Sequence, residues 1–248
     1  MIVREIMTTN MITVAPDDTL GHAVNLLRQY QFHHLPVVHH SKAAGAGATR
    51  QAEAKTLLLF EGLITSQDID LAVALGKQRS SGDLLQRPWQ EQRIGEVMHR
   101  PDVSLGPTTS VASAAQLLVE RGMNCLPVVE YEQTESGQET RTVLVGLLTR
   151  SDLLMAFARS MGIFEPGMQL VIPLPVHDLT PLAQTLLLAH EMHVKVLSVL
   201  VAPQENGKSR AAILRLGTIN PSPILLRLQE ANIAYRFADS LLEGNTHG

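Results

Sequence analysis

Apolar and polar positions alternate along this chain in blocks that predict short strands and amphipathic helices. Met11–Val14 is a short apolar run stopped by Pro16, and Asp17, Asp18 or Thr19 can cap a helix after it. Ala23, Leu26, Leu27 and Tyr30 then fall on one helical face. Leu35–Val38 reads as a buried strand, and Thr56–Ile64 as a leucine-rich strand that ends at Thr65. Ile69, Leu71, Ala72 and Leu75 begin a second helix, so the predicted order is β-α-β-β-α. The same order returns as Val103–Leu105, Ser110–Arg121, Leu126–Glu130, Thr142–Leu148 and Ser151–Arg159. The last third has its own pattern. Met168–Pro175 is a strand, Leu182, Leu186, Ala189 and Met192 form a helical stripe, and Lys195–Ala202 and Arg210–Leu216 are strands around a turn at Pro203–Ser209. A helix at Pro223–Asn232 and a strand at Ile233–Phe237 complete β-α-β-β-α-β, the split βαβ arrangement of ferredoxin-like domains. Thr180-Pro181 suits its first helix start, with proline in the first turn.

The first two blocks are one unit used twice. Met7, Pro16, Leu26, Leu27, Leu35, Pro36, Val37 and Val38 recur 91 residues later as Met98, Pro107, Leu117, Leu118, Leu126, Pro127, Val128 and Val129. Gly62, Thr65 and Asp68 recur 84 residues later as Gly146, Thr149 and Asp152. The step in offset is one loop, with 23 residues between Val38 and Gly62 but 16 between Val129 and Gly146. The predicted organisation is a first repeat at 1–75, a polar linker at 76–93 that Trp89 anchors, a second repeat at 94–160 and a third domain at 167–238. Ser41–Lys55, without apolar period, reads as a mobile hairpin loop.

Composition narrows the function classes. The net charge of −4 excludes broad nucleic-acid binding, which needs a basic surface, but leaves local anion sites open. The single cysteine, Cys125, permits no intrachain disulfide and sits in an apolar run, as an inert buried thiol would. No apolar run approaches the roughly 20 residues of a membrane helix. The first residues, Met1–Glu5, carry charge where a signal peptide needs an apolar core. The expectation is a cytoplasmic protein that engages neither membrane nor nucleic acid.

The repeated polar residues admit two readings. Gly62-Leu63-Ile64-Thr65-Ser66-Gln67-Asp68 and Gly146-Leu147-Leu148-Thr149-Arg150-Ser151-Asp152 each end a strand and open a helix. Thr-x-x-Asp there is close to a capping box, in which threonine and acid satisfy backbone N–H groups reciprocally. The same geometry can hold a ligand. A helix N-terminus offers N–H groups and positive dipole to an anion, the threonine hydroxyl can donate to phosphate, and an ionised aspartate can accept from both ribose hydroxyls. The roles can coexist, with ligand replacing a cap partner.

Duplication, the Leu-Pro-Val-Val runs and the two Gly-x-x-Thr-x-x-Asp motifs together resemble a tandem pair of cystathionine-β-synthase (CBS) domains over about residues 1–160. The last third resembles an ACT-type regulatory domain, and the whole is similar to the acetoin-utilisation protein AcuB family. The implied fold class is α+β, a CBS pair followed by a ferredoxin-like ACT-type domain. The resemblance implies two clefts that bind adenosine-containing ligands: AMP, ADP, ATP, S-adenosylmethionine or NAD-type dinucleotides. Asp68 and Asp152 would hold ribose, and Thr65 and Thr149 phosphate. Ile12, Thr13, His34, Leu35 and Pro36 would grip the base in the first copy, and Val103, Ser104, Cys125, Leu126 and Pro127 in the second. Arg150 lies inside the second motif and His99-Arg100 follows the matched Met98, where the first copy has Thr8 instead, so the clefts should differ in charge. The resemblance also implies a homodimer. The turn His177-Asp178-Leu179-Thr180-Pro181 lacks the glycine that ACT-type domains carry there, so amino-acid binding stays open.

Other clusters give little. His33-His34 and His39-His40 flank a strand, where adjacent residues face opposite ways and rarely share a metal. Contact with a base or phosphate suits His33 or His34 better. His190 and His193 have a workable helical spacing but no third ligand. Gly45-Ala46-Gly47 has no helix behind it and is no dinucleotide fingerprint. No nucleophile, base and acid set is visible. The expectation is therefore a non-enzymatic regulator that senses an adenosyl ligand and uses no cofactor or metal. The alternative is a dimerising or docking module with empty clefts that regulates a metabolic enzyme, as in acetoin catabolism.

Overall fold

The computed structural model describes residues 1–42, 56–79, 88–133, 140–203 and 210–237. The chain divides into two compact units, Met1–Leu153 and Leu154–Gly248. Ser41 and Lys42, expected in a loop, end β1 (His34–Lys42), and Pro203, expected in a turn, ends β6 (Val196–Pro203). The rest of that loop, 43–55, with the Gly45-Ala46-Gly47 run, the rest of that turn, 204–209, and residues 80–87 of the linker lie outside the described residues, as does everything after Phe237.

In the first unit each repeat is a helix, an antiparallel strand pair and a second helix. The first repeat runs α1 (Leu20–Tyr30), β1 (His34–Lys42), β2 (Thr56–Thr65) and α2 (Ser66–Arg79). The second runs α3 (Val111–Glu120), β3 (Cys125–Gln133), β4 (Thr140–Thr149) and α4 (Arg150–Ser160), within which the chain passes into the second unit after Leu153. Caps account for the helix starts: Thr19 accepts from the His22 N–H, and Ser110 from that of Ser113. Left-handed residues end the first helices, Gln31 after α1 and Gly122 after α3. Gly76–Arg79, read as linker from their polar composition, continue α2.

The strands form one sheet in the order β1-β2-β4-β3, in which β2 and β4 pair at Leu59 and Val143. Both hairpins shift register at the same place, between Val37 and Val38 and between Val128 and Val129. The predicted strands Met11–Val14 and Val103–Leu105 reduce to single parallel bridges, Val14 to Val37 and Leu105 to Val128. The Val14 N–H donates to Pro36 O and the Leu105 N–H to Pro127 O. The chain then turns at Pro16 and Pro107, so one bridge is all the pairing that fits.

The segment leading into each repeat packs on the other repeat. Ile94 is fully buried among Leu20, Leu27, Leu35 and Ile64 of the first repeat, with Trp89 and Val97 beside it. Val3 is fully buried among Leu105, Leu118, Leu126 and Leu148 of the second. Matching hydrogen bonds fix the crossing. Ile94 and Gly95 donate to Asp18 O and Pro16 O, and Val3 and Arg4 donate to Thr109 O and Pro107 O. The repeats therefore cannot separate without opening both cores. Ile94→Ala is expected to cost about 2–5 kcal/mol, the usual range for truncating a buried isoleucine. In chemical denaturation monitored by Trp89 fluorescence, the midpoint should fall as it would for a core residue of the first repeat.

The second unit has the expected β-α-β-β-α-β order: β5 (Met168–Leu174), α5 (Thr180–Glu191), β6 (Val196–Pro203), β7 (Arg210–Leu216), α6 (Ser222–Glu230) and β8 (Arg236–Phe237). Its antiparallel sheet has the order β6-β7-β5-β8. Leu170, Ile172, Leu174, Leu214 and Leu216 pack with Ala189, Ile224 and Leu228 from the two helices.

Candidate functional site

Both Gly-x-x-Thr-x-x-Asp motifs form the same hydrogen-bonded unit. Asp68 Oδ2 accepts from the Thr65 N–H at 2.8 Å and from Thr65 Oγ1 at 2.7 Å, and the Asp68 N–H donates to Thr65 Oγ1 at 3.2 Å. Asp152 repeats this with Thr149 at 2.8, 2.8 and 3.2 Å. These are capping boxes, so the cap reading describes the free protein. The next N–H groups are also engaged, Ser66 with His33 O and Arg150 with Asn124 O.

The glycine of each motif makes room for a crossing segment. The Leu63 N–H donates to His99 O and the His99 N–H to Leu63 O; Leu147 and Thr8 bond in the same way. A Cβ on Gly62 would lie 2.6 Å from the His99 carbonyl oxygen, and one on Gly146 2.5 Å from Met7 Sδ. The crossing brings new polar groups to each aspartate. His99 Nδ1 lies 3.0 Å from Asp68 Oδ2, and Thr8 Oγ1 donates to Asp152 Oδ1 at 3.1 Å.

A cavity of about 610 Å³ lies where the repeats meet. Ile12, Phe32, His33, His34 and Pro36 line it from the first repeat, and Cys125, Leu147, Thr149, Arg150 and Asp152 from the second. Asn10 and Met11, with Thr8, complete one wall. An apolar and aromatic side thus faces a threonine, an arginine and a carboxylate. Burial holds the His34 imidazole below its ordinary range; His33 and His99 push the same way and Asp68 opposes them. Burial, with the charge of Asp152, pushes the Cys125 thiol up to about 12. Cys125 should therefore react far more slowly with a thiol reagent such as Ellman's than after denaturation, because the thiolate is the reactive form.

The sequence-predicted residues are grouped differently from expectation. Ile12, His34 and Pro36 share their cavity with Thr149 and Asp152, not with Thr65 and Asp68 of their own repeat. The reason is the crossing: Thr8 and Met11 precede the first repeat yet run along the second. His99, expected to add charge beside Arg150, meets Asp68 instead. Leu35 and Leu126 are fully buried in the two helix-facing cores, since strand neighbours alternate in direction, and offer no side chain to a ligand. Val103 packs against the second core. Arg100 and Ser104 line a separate depression of about 410 Å³ with Glu61, Tyr131 and Arg141, and Arg100 Nη2 donates to Glu61 Oε2 at 3.2 Å. Thr13 and Pro127 line neither. Sequence reasoning missed Asn10, Phe32 and Asn124 as lining residues. Phe32 stacks on Tyr30 with 5.6 Å between ring centroids, and the aromatic pair at the end of α1 was the signal available. Among the described residues no group of three or more His, Cys, Asp or Glu is arranged for a metal, and no helix is long and apolar enough to cross a membrane.

Residues 3–45 and 94–159 match the family model of the CBS domain. One match falls in each repeat. The pair is similar to the CBS domain-containing protein YhcV of Bacillus subtilis, 26% identical over 151 residues, which span 61% of this chain and 81% of that protein. Among solved structures it is similar to CBSX2 in complex with AMP, at 23% identity and a TM-score of 0.43, over 63% of this chain and 95% of that one. It is also similar to a Vibrio cholerae protein named for acetoin utilization (AcuB), at 24% identity and a TM-score of 0.46, over 67% of this chain and 98% of that one.

Proposed function

We propose that the CBS pair binds an adenosine-containing ligand and that the chain is a non-enzymatic regulator. The cavity that joins Ile12, His34 and Pro36 of one repeat to Thr149 and Asp152 of the other carries this reading. The base would lie against the apolar wall. Asp152 would take the ribose hydroxyls, exchanging the Thr8 hydroxyl on its Oδ1 for one of them. Thr149 Oγ1 would turn from the carboxylate to phosphate at the start of α4. Asp68 and Thr65 would play the same parts on the other side. A ligand that touches both repeats favours the relative arrangement completing both sets of contacts, by its difference in affinity for the two states. A coupling of about 1–3 kcal/mol would be enough to signal. The second unit is read as an ACT-type domain that makes the chain a homodimer or passes the change to an enzyme.

A thermal-shift panel of AMP, ADP, ATP, S-adenosylmethionine, NAD and NADH tests the reading, because a ligand that binds only the folded chain must raise its melting temperature. The expected result is a rise with at least one, reduced in Asp68→Ala and in Asp152→Ala. No rise with any would favour a docking module whose Thr-Asp pairs serve as caps alone.

A further inference from the structure

The two sides of the pair use unlike charges at equivalent positions. At the 91-residue offset, His33 and His34 stand where the other side has Asn124 and Cys125, and His99 stands where it has Thr8. At the 84-residue offset the exchange is reversed, with Ser66 where the other side has Arg150. Thus an imidazole, His99, meets Asp68 directly, with His34 electrostatically coupled to both, while a guanidinium accompanies Asp152 in the cavity that His33 and His34 also line. Arginine is charged at every physiological pH, whereas histidine changes charge between about pH 5 and 8.

His99 is the imidazole in direct contact with the carboxylate, at 3.0 Å through Nδ1. An ionised carboxylate only accepts, so Nδ1 carries hydrogen. The other ring nitrogen of the neutral ring is then an acceptor and repels a phosphate oxygen; once protonated it donates to one. The groups around His99 are Asp68 from α2, His34 at the start of β1, and its neighbour Arg100. The Arg100 charge is held by Glu61 of β2, with His39 Nε2 4.0 Å from the other Glu61 oxygen. Burial holds the His34 imidazole below its ordinary range, and the Asp68 charge opposes it.

We propose that the two sites differ in how they take phosphate: the Asp68 site binds a phosphate-bearing ligand with uptake of a proton at His99, and the Asp152 site binds one through the fixed charge of Arg150. This rests on the adenosyl reading above and deepens it. The linkage has a definite sign. A ligand that prefers the protonated site binds more tightly as pH falls, by up to about tenfold per pH unit for one proton.

Calorimetric titration of the full chain with AMP and with uncharged adenosine, at pH 6.5 and 8.0, tests this. Asp152→Ala isolates the Asp68 site. Asp68→Ala isolates the other and controls for ionisation of AMP itself. In Asp152→Ala, AMP should bind several-fold more tightly at the lower pH relative to that control, and adenosine should not. Adding His99→Thr, the residue found at the equivalent position, should abolish the difference. His99→Thr alone, at an exposed position, gives the same readout as loss of the pH-dependent component if an aspartate variant fails to fold. Equal pH dependence in the two aspartate variants, or dependence that survives His99→Thr, would overturn the proposal while leaving the adenosyl reading intact. No binding of either probe to the native chain, with no shift across the wider panel, would overturn both.

Discussion

Asp152→Ala is expected to weaken binding of an adenosine-containing ligand at the cavity by roughly 10- to 150-fold, the worth of about 1.5–3 kcal/mol in hydrogen bonds to a charged group. The half-buried carboxylate is placed for this by its own cap: Thr149 N–H and Oγ1 hold one oxygen, and the other accepts from the Thr8 hydroxyl. Removing it also removes half of a capping box, at about 1 kcal/mol, so the free protein should melt a few degrees lower. The two effects separate in measurement. Calorimetry reads the affinity of folded chain, and the melting temperature without ligand reads the cap. A variant that melts lower but binds normally would show that Asp152 serves the helix alone.

Gly62→Ala is expected to destabilise the first unit by about 1–3 kcal/mol, as overfilling a packed site does. The added Cβ meets the His99 carbonyl at 2.6 Å, and that carbonyl is fixed by its hydrogen bond from Leu63. Gly146→Ala should cost less, because the crowded atom there is Sδ of Met7, the end of a flexible side chain. Urea midpoints of the two variants give the comparison. An equal or reversed order would mean that the crossing strand yields more readily than Met7. Gly62→Ala should also disturb His99 and hence the Asp68 site, whereas Gly146→Ala should leave that site alone.

Much of this architecture is written in the chain as repetition. The 91- and 84-residue offsets predicted equivalent residues, and the structure keeps them equivalent down to the register shifts beside Val37 and Val128. Periodicity placed both hairpins and the first three strands of the second unit, because alternation and apolar runs report burial directly. The last strand, expected over Ile233–Phe237, shortens to Arg236–Phe237. What repetition cannot report is which copy a segment packs against. Val3 and Ile94 are equivalent whether each folds back on its own repeat or crosses to the other, so the offset is the same in both cases. The exchange decides the site: it carries Thr8 to Asp152 and His99 to Asp68, and it sets Ile12 and His34 across a cavity from Thr149. Short strands were over-read for a related reason. Met11–Val14 has a strand's composition, but Pro16 leaves space for one bridge. The turn before α5 shows the converse. It lacks glycine in sequence, yet His177 there adopts a left-handed backbone, with φ of 61°.

The capping boxes make the central claim sharper than a motif match would. In each pair the threonine holds Oδ2, and a crossing residue adds to the carboxylate, Thr8 on Asp152 Oδ1 and His99 on Asp68 Oδ2, so a ligand must compete for it, and the ribose hydroxyls are the groups equipped to do so. The direct measurement is a titration of the native chain and of the Asp68→Asn/Asp152→Asn variant with AMP and with 2′-deoxy-AMP. The account predicts that the native chain prefers AMP by roughly tenfold, the scale of one hydrogen bond to a charged group, and that the asparagine variant shows no preference. Equal affinity of the native chain for the two nucleotides, or a preference that survives in the variant, would contradict the account.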